Sequence, residues 1–124
     1  MISYKIGHAE ISQKDLTGLY NACQWYAYTE GEHKEKLLET MKNSSYVVTA
    51  WDGETLIGLA RCMSDDFSIF YLQDILVEPD RQRQEIGREL FERCLKRYDH
   101  TRTKLLLTGA EVRQKLFYES LGFK

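Results

Sequence analysis

The sequence predicts a mixed α/β (α+β) domain, with one central sheet flanked by helices, over residues 1–124. Short apolar segments that suit strands follow one another with brief links at residues 46–51, 55–63 and 71–77. Short links between successive strands favour an antiparallel meander. A helical run at 86–98 then leads to another apolar segment at 104–108. Because a chain that returns through a helix pairs in parallel, we expect residues 104–108 to lie beside 71–77.

Helices are also predicted before the meander. Residues 3–6 suit a short strand, and Ser12 followed by Asp15 resembles a helix N-cap with an acidic residue at its third position. Apolar residues then recur at helical spacing at Leu16, Leu19, Tyr20 and Cys23. A second helix is predicted over residues 32–43, and its inner face consists of Leu37, Leu38 and Met41.

The links between elements carry turn signals. Asp52-Gly53 is typical of a two-residue hairpin turn. Pro79 lacks an amide hydrogen and ends the strand before it. A last helix is predicted over 111–121, with Gly122 just after its C-terminus.

Composition excludes several classes of protein. The net charge is −2, and Lys and Arg are scattered, which argues against nucleic acid as a partner. The sequence shows no apolar run of a signal peptide or membrane span, so no membrane partner is expected. The cysteines Cys23, Cys62 and Cys94 suit reduced, buried thiols in a cytoplasmic protein better than disulfides.

Motifs for metals and nucleotides are absent from the sequence. The three histidines, His8, His33 and His100, are isolated from one another and from cysteines at ligand spacing, so we expect no metal. Neither the dinucleotide-binding pattern G-x-G-x-x-G nor the P-loop pattern G-x-x-x-x-G-K-[ST] occurs.

The loop after the strand at 71–77 is the first candidate site. Residues 82–87 open onto a helix N-terminus, where free backbone N–H groups and the helix dipole favour an anion. Arg81, Arg83 and Arg88 add positive charge there. The anion predicted from this arrangement is a phosphate.

Val-x-Pro at Val77 and Pro79, followed by a Gln-x-x-Gly-x-Gly/Ala pattern, resembles the acetyl-CoA loop of the GNAT superfamily of N-acetyltransferases. Gln82, Ile86 and Gly87 match that pattern, whereas Glu85 stands where the family has its first glycine. The order β-α-α-β-β-β-α-β-α and the ending Leu-Phe-Tyr-x-x-x-Gly-Phe at 116–123 are also similar to the family.

One departure from the family concerns the C-terminus. The family usually continues into two more strands after Gly-Phe, whereas this sequence stops at Lys124. The resemblance therefore implies a GNAT-like sheet shortened at its C-terminus, with an open edge at residues 104–108. Because an open edge pairs readily with another chain, we expect a homodimer through it, or a weakened fold.

The resemblance implies acetyl-CoA as co-substrate. The pantetheine arm would pair with the backbone of Ile75, Leu76 and Val77, and a backbone N–H of Leu76 or Val77 would polarise the thioester carbonyl. The residues implied around the pyrophosphate are Gln82, Arg83, Gln84, Glu85, Ile86, Gly87 and Arg88. The alternative is that residues 71–77 form an ordinary core strand and that Gly87 merely eases helix packing.

Catalysis is implied for two side chains. In the resembling enzymes the tyrosine at the place of Tyr118 protonates the departing thiolate; otherwise Tyr118 is a core residue. The acceptor amine must lose a proton, and Asp74 or Glu111 is a candidate base. Asp74 has the alternative role of a structural carboxylate that caps a neighbouring loop.

The acceptor pocket is implied at the aromatic connector after the first helix. Trp25, Tyr26 and Tyr28 suit a flat or cationic amine, although ordinary packing of the connector explains them equally well. The predicted function is N-acetylation of a small-molecule or peptide amine by direct attack. The alternative is a catalytically silent CoA-binding or dimerising module, which Glu85 and the missing strands favour.

Overall fold

The computed structural model describes residues 2–26, 29–30, 33–82, 85–101 and 103–106. The elements along these residues are, in order, β1 (Ile2–Ile6), α1 (Gln13–Ala22), α2 (His33–Lys42), β2 (Tyr46–Asp52), β3 (Thr55–Ser64), β4 (Ile69–Val77), a short 3-10 helix (Pro79–Arg81), α3 (Ile86–Arg97) and β5 (Thr103–Leu106). The helix predicted at 111–121, with Tyr118 and Glu111, lies outside the described residues.

The strands form a single five-stranded sheet in the order β1-β2-β3-β4-β5. Neighbours from β1 to β4 pair antiparallel, and β5 pairs parallel to β4. The predicted meander, the parallel return through α3 and the mixed fold class are therefore confirmed. Within the described part of the chain β5 is an edge strand, and the homodimer expected through it stays a prediction.

Helices cover both faces of the sheet. On one face α3 packs through Ile86, Leu90, Phe91 and Cys94, all buried against the sheet. On the other face α1 and α2 bury Leu16, Leu19, Tyr20, Leu37 and Met41. The sheet is thus the middle layer of three, and its strands carry buried side chains in both directions.

The predicted start of α1 is confirmed in detail. Ser12 Oγ accepts a hydrogen bond from the backbone N–H of Asp15 at 3.0 Å. The Asp15 carboxylate in turn accepts from the Ser12 N–H at 3.3 Å, which completes a capping box.

The predicted hairpin between β2 and β3 forms, but its turn is shifted by one residue. Asp52 pairs with Thr55 and is still part of β2, so the two turn residues are Gly53 and Glu54 rather than Asp52 and Gly53. Gly53 has φ +63°, in the left-handed region that glycine adopts without steric cost.

A glycine in β3 brings α3 close to the sheet. A Cβ added at Gly58 would lie 3.1 Å from Leu90 Cδ1 and 3.2 Å from Ile86 Cγ2. Gly58 therefore lets the first turn of α3 sit directly on β3, next to the C-terminal end of β4. This contact fixes where the helix N-terminus lies relative to β4.

Candidate cofactor and acceptor site

A β-bulge interrupts β4 in its middle. Arg61 of β3 is paired with Asp74, whereas the next residue, Cys62, is paired with Leu72. Gln73 is therefore one extra residue on β4. Because pairing in an antiparallel ladder alternates, an extra residue changes which backbone groups of the following segment point toward β3.

Beyond the bulge, alternate residues of β4 point their backbone groups away from β3. The N–H of Glu78 donates to Ile57 O of the β3 end at 2.8 Å, so Leu76, two residues earlier, also faces β3. Ile75 and Val77 consequently turn their N–H and C=O groups to the opposite side. In agreement, Val77 O accepts from the side chains of Cys23 (3.4 Å) and Gln82 (3.3 Å).

On that opposite side, the described pairing of β4 is confined to its first half. The parallel pairing of β4 with β5 runs from Ile69 to Leu72, where Leu72 lies opposite Leu106. Among the described residues, β4 therefore has no β5 partner from Gln73 to Val77. The groups of Ile75 and Val77 are directed to this side of β4, which we call the β4 cleft because the resemblance implies that the cofactor binds there. Leu76, a predicted oxyanion donor, does not face it, because its N–H points toward β3.

The N-terminus of α3 lies beside the end of β4, after the loop predicted to hold phosphate. Its N-cap is Glu85, whose carbonyl accepts the first helical hydrogen bond from Glu89 N at 3.0 Å. The side chain of Glu85 does not cap the helix. The first-turn amides of Ile86, Gly87 and Arg88 are thus directed along the helix axis, as in anion sites.

The backbone of Glu85 is in the left-handed conformation, with φ +64° and ψ 9°. The matching position in the GNAT pattern is glycine, which adopts this conformation without strain, whereas glutamate adopts it at a steric cost. The carboxylate is 79% exposed and lies 3.3 Å from Arg88 Nε. Its charge is therefore directed to water and is partly offset by Arg88.

The arginines predicted around the phosphate have different roles. Arg81 Nη1 lies 2.7 Å from the Asp52 carboxylate and ties the 3-10 helix to the β2–β3 hairpin. The Arg81 guanidinium holds the pKa of Asp52 below its usual range, mainly through this hydrogen bond. Arg88 is paired with Glu85. Arg83 and Gln84 lie outside the described residues.

Two substitutions of Glu85 are expected to separate the effect of its negative charge on acetyl-CoA binding from the effect of its backbone strain on stability. Glu85→Gln removes the negative charge alone and should tighten acetyl-CoA binding about fivefold, which corresponds to about 1 kcal/mol of like-charge repulsion. Glu85→Gly also removes the strain, about 1 kcal/mol after the entropy of glycine is allowed for. It should therefore raise the free energy of unfolding as well. Calorimetry and urea denaturation measure the two effects.

The matched control for this series is Glu85→Asn, because asparagine tolerates the left-handed region and carries no charge. It should resemble Glu85→Gly in binding. If acetyl-CoA affinity is the same in all of these proteins, Glu85 does not weaken the site.

Asp74, the predicted base, is fully buried and accepts hydrogen bonds from β3 and α1. Its Oδ2 accepts from Arg61 Nε at 2.7 Å and from the Tyr20 hydroxyl at 2.9 Å. Arg61 also reaches Ser44 Oγ at 3.4 Å. These contacts enclose the carboxylate, as the structural alternative for Asp74 requires, but the partners lie on β3 and α1 rather than in a loop.

Tyr20 and Arg61 were missed as polar members of this region. Tyr20 was expected only as part of an apolar helical stripe. A signal for Arg61 exists in the sequence, since a single arginine lies inside an apolar strand and a single aspartate lies inside the next one. The bulge hides their pairing, because a regular hairpin register does not put them opposite each other.

The aromatic connector lies beside the C-terminal half of β4. Cys23 at the end of α1 contacts Val77 O, and the connector continues from it. Trp25 packs edge-on against Tyr20 at a ring distance of 6.1 Å, and Tyr26 is 49% exposed. Tyr28 is outside the described residues. Trp25 is thus anchored in the core, whereas Tyr26 is available to a ligand.

The thiol of Cys23 is next to the cleft but suits no nucleophilic role. Burial raises its pKa to about 11, and its S–H donates to the Val77 carbonyl. Because the thiolate is the reactive form, a thiol with this pKa stays protonated near neutral pH. Cys62 and Cys94 are buried, and all of the cysteines are free.

The described segments contain neither a membrane-spanning helix nor a metal-binding cluster. Their helices are each too short or too polar to cross a membrane. They contain no cluster of three or more His, Cys, Asp or Glu side chains arranged to hold a metal ion.

The mixed sheet, the helices on both of its faces and the bulged β4 match the fold expected for the predicted family. The chain belongs to the GNAT acetyltransferase family, because the acetyltransferase (GNAT) domain model matches residues 10–124. The predicted family is therefore confirmed.

Individual relatives agree with this assignment. A GNAT-family acetyltransferase of Streptococcus pneumoniae TIGR4 is 31% identical, with a TM-score of 0.81 over 100% of this chain and 88% of that one. The PaiA N-acetyltransferase of Thermoplasma acidophilum, solved in complex with coenzyme A, is 20% identical and shares the fold, with a TM-score of 0.73 over 98% of this chain and 90% of that one.

A curated plant protein is also similar. GCN5-related N-acetyltransferase 2, chloroplastic, of Arabidopsis thaliana is 29% identical over 93% of this chain. The chain spans about half, 51%, of the length of that relative.

Proposed function

We propose that this protein is an acetyl-CoA-dependent N-acetyltransferase that acts on a primary amine. The observation that carries the proposal is the β4 cleft, where Ile75 and Val77 present backbone groups that β3 does not use. A ligand that carries amide groups can pair with such a strand as a further strand would. The family assignment and a relative solved with coenzyme A support the same ligand.

The two ends of the cofactor find complementary groups. The pantetheine amides pair with the backbone of Ile75 and Val77, and the pantetheine donor to the Val77 carbonyl takes the place of Cys23 or Gln82, which hydrogen-bond to that carbonyl in the free protein. The pyrophosphate is received by the amides at the start of α3, at Ile86, Gly87 and Arg88. Gln82 lies between the two regions and contacts Val77 O through its side chain. Binding thus depends mainly on the backbone.

The reaction is a direct transfer. The neutral amine attacks the thioester carbonyl, a C–N bond forms, the C–S bond breaks, and the amine proton passes to a base or to water. The departing thiolate takes a proton, for which we propose the Tyr118 phenol. The protonated state of Cys23 supports direct attack over an acetyl-cysteine intermediate.

The carbonyl is polarised by a backbone donor of β4. Of the two donors predicted, Leu76 and Val77, only Val77 has its N–H toward the cleft, and Ile75 presents another. One of these N–H groups is available to the thioester oxygen and the other to the pantetheine arm.

The identity of the base stays a prediction. Glu111 lies outside the described residues. Asp74 is enclosed by Arg61 and Tyr20, so an amine reaches its carboxylate only if these donors are displaced. These contacts support a water path or another group over Asp74.

The acceptor is proposed to enter beside the aromatic connector. Tyr26 offers an exposed ring, and Trp25 supports it from the core. Aromatic faces attract cationic amines. The amine is therefore proposed to be cationic at neutral pH before it loses its proton, as polyamines, amino acids, aminoglycosides and lysine side chains are.

Acetyl-CoA is expected to stabilise the protein strongly. At about a hundred times its dissociation constant, it adds roughly 2.7 kcal/mol to the free energy of unfolding. For a chain of this size the melting temperature should rise by about 10 °C. Thermal denaturation with acetyl-CoA, and with adenosine 3′,5′-bisphosphate as the control that lacks pantetheine, measures this effect. No shift at millimolar acetyl-CoA would contradict the proposed site.

A second candidate function is favoured by Glu85. Its negative charge and strained backbone stand at the position where the family has glycine, which suits a CoA-binding module that does not turn over. Release of free thiol with a panel of amines distinguishes the two. Turnover that depends on the amine supports the enzyme, whereas binding without turnover supports the module.

A further inference from the structure

One buried ion pair connects both helices of the α1–α2 layer to the central strands. Asp74 of β4 accepts from Arg61 of β3 at 2.7 Å and from Tyr20 of α1 at 2.9 Å. Arg61 extends to Ser44, which follows α2. Asp74 is completely buried and Arg61 is 8% exposed. Arg61 and Asp74 lie directly opposite each other, and Asp74 immediately follows the extra residue Gln73.

The position of Asp74 makes the regular register unfavourable. Without the bulge, Gln73 would take the place opposite Arg61, and Asp74 would move opposite Ala60. A shift by one residue turns a side chain to the other face of a sheet. Asp74 would then enter the apolar layer that contains Cys62 and Leu90, on the opposite face of the sheet from Arg61. An unpaired charge in such a layer is strongly disfavoured.

The same register decides what the β4 cleft offers. With the bulge, Ile75 and Val77 turn their N–H and C=O groups into the cleft. In a regular ladder these two residues would bond to β3 instead, and Leu76 would take the cleft side. The register therefore determines whether the backbone groups of Ile75 and Val77 or those of Leu76 are available to the cofactor in the β4 cleft.

We propose that Asp74, clamped by Arg61 and Tyr20, fixes the bulged register of β4 and thereby aims the backbone of Ile75 and Val77 at the cofactor. The three side chains are positioning residues, and none of them touches the cofactor. The functional consequence rests on the proposed acetyl-CoA site, but the register itself is a property of the free protein.

The clamp differs from a catalytic role of Asp74 in its kinetic signature. Loss of a general base lowers kcat and removes the acidic limb of the pH–rate profile. Loss of the register raises KM for acetyl-CoA and leaves that limb in place. Asp74→Asn, which keeps the shape of the side chain, is expected to give the second pattern.

The decisive variant removes both charges together. Arg61→Met with Asp74→Leu replaces the pair by apolar groups of similar volume, a change that buried pairs often tolerate without loss of stability. This double variant is expected to fold and to bind acetyl-CoA at least tenfold more weakly. Hydrogen exchange of the ligand-free double variant, measured by NMR, should show loss of protection at the Leu76 and Glu78 amides and a gain of protection at the Ile75 and Val77 amides.

Tyr20→Phe is a second and milder test of the clamp, because it deletes only the hydroxyl that donates to Asp74. It is expected to weaken acetyl-CoA binding severalfold while the protein stays folded. The matched control is Asp66→Asn with Arg97→Gln, which removes an exposed ion pair at the β3–β4 turn and should leave binding unchanged. If the double variant and Tyr20→Phe both keep the original exchange pattern and affinity, the clamp does not set the register.

Failure of this inference and failure of the proposed function are distinguishable. If the unaltered protein does not bind acetyl-CoA, the proposed function is wrong, yet the exchange pattern still reports the register. If the unaltered protein binds acetyl-CoA and the register is unchanged in the variants, the clamp alone is wrong.

Discussion

Replacing Arg61 by methionine, with Asp74 left in place, is expected to lower the free energy of unfolding by about 3–5 kcal/mol. The change leaves a carboxylate buried between the sheet and α1, where the Tyr20 hydroxyl still donates to Oδ2 but the positive charge that balances the carboxylate is gone. Small domains have about 5–15 kcal/mol in total, so the loss is a large share. Urea denaturation followed by circular dichroism measures it.

Two comparisons make this result specific. Removing Asp74 as well, in the double variant, should restore most of the lost stability, because no unpaired charge is then buried. Arg93→Met, which breaks the half-exposed pair of α3 with Glu89, should cost far less. Equal losses in Arg61→Met and Arg93→Met would show that the Asp74 charge does not need its buried partner.

Tyr118→Phe is expected to reduce kcat about a hundredfold and to leave the affinity for acetyl-CoA unchanged. In the proposed mechanism the phenol would donate a proton to the thiolate as the C–S bond breaks, and a positioned acid typically contributes at least this factor. A phenol near pKa 10 and a thiol near 8.5 are close enough for this transfer to be only slightly uphill. Steady-state kinetics and calorimetry give the two quantities separately.

The leaving group supplies the control for Tyr118. A thioester of a more acidic thiol departs without a proton, so the difference between Tyr118→Phe and the unaltered enzyme should shrink with such a substrate. A constant deficit across thioesters would instead assign Tyr118 to packing or to substrate placement.

Much of the fold follows from local patterns. The capping box at Ser12, the stop at Pro79 and the helical stripe from Ile86 each depend on residues close in sequence. The hairpin was predicted for the same reason, although its turn is Gly53-Glu54. The parallel return of β5 follows from chain connectivity. For these elements the sequence is sufficient, because neighbours along the chain decide the outcome.

The central features of the site depend on distant residues. The bulge at Gln73 depends on the register between β3 and β4, and the residues next to Gln73 in sequence do not predict it. The meeting of Tyr20, Arg61 and Asp74 depends on that register and on how α1 crosses the sheet. The left-handed backbone of Glu85 was unexpected for a glutamate, and only the family pattern of glycine at that position hinted at it.

The pairing of β4 with β5 imposes an order on folding. The links from β2 to β3 and from β3 to β4 are short, so their loop-closure entropy is small. The partners Ile69 and Thr103, in contrast, meet only after all of β4, the loop and α3 have been arranged between them. Contacts with such separation form slowly. We therefore expect a nascent chain to complete its hairpins first and to assemble the cofactor cleft last.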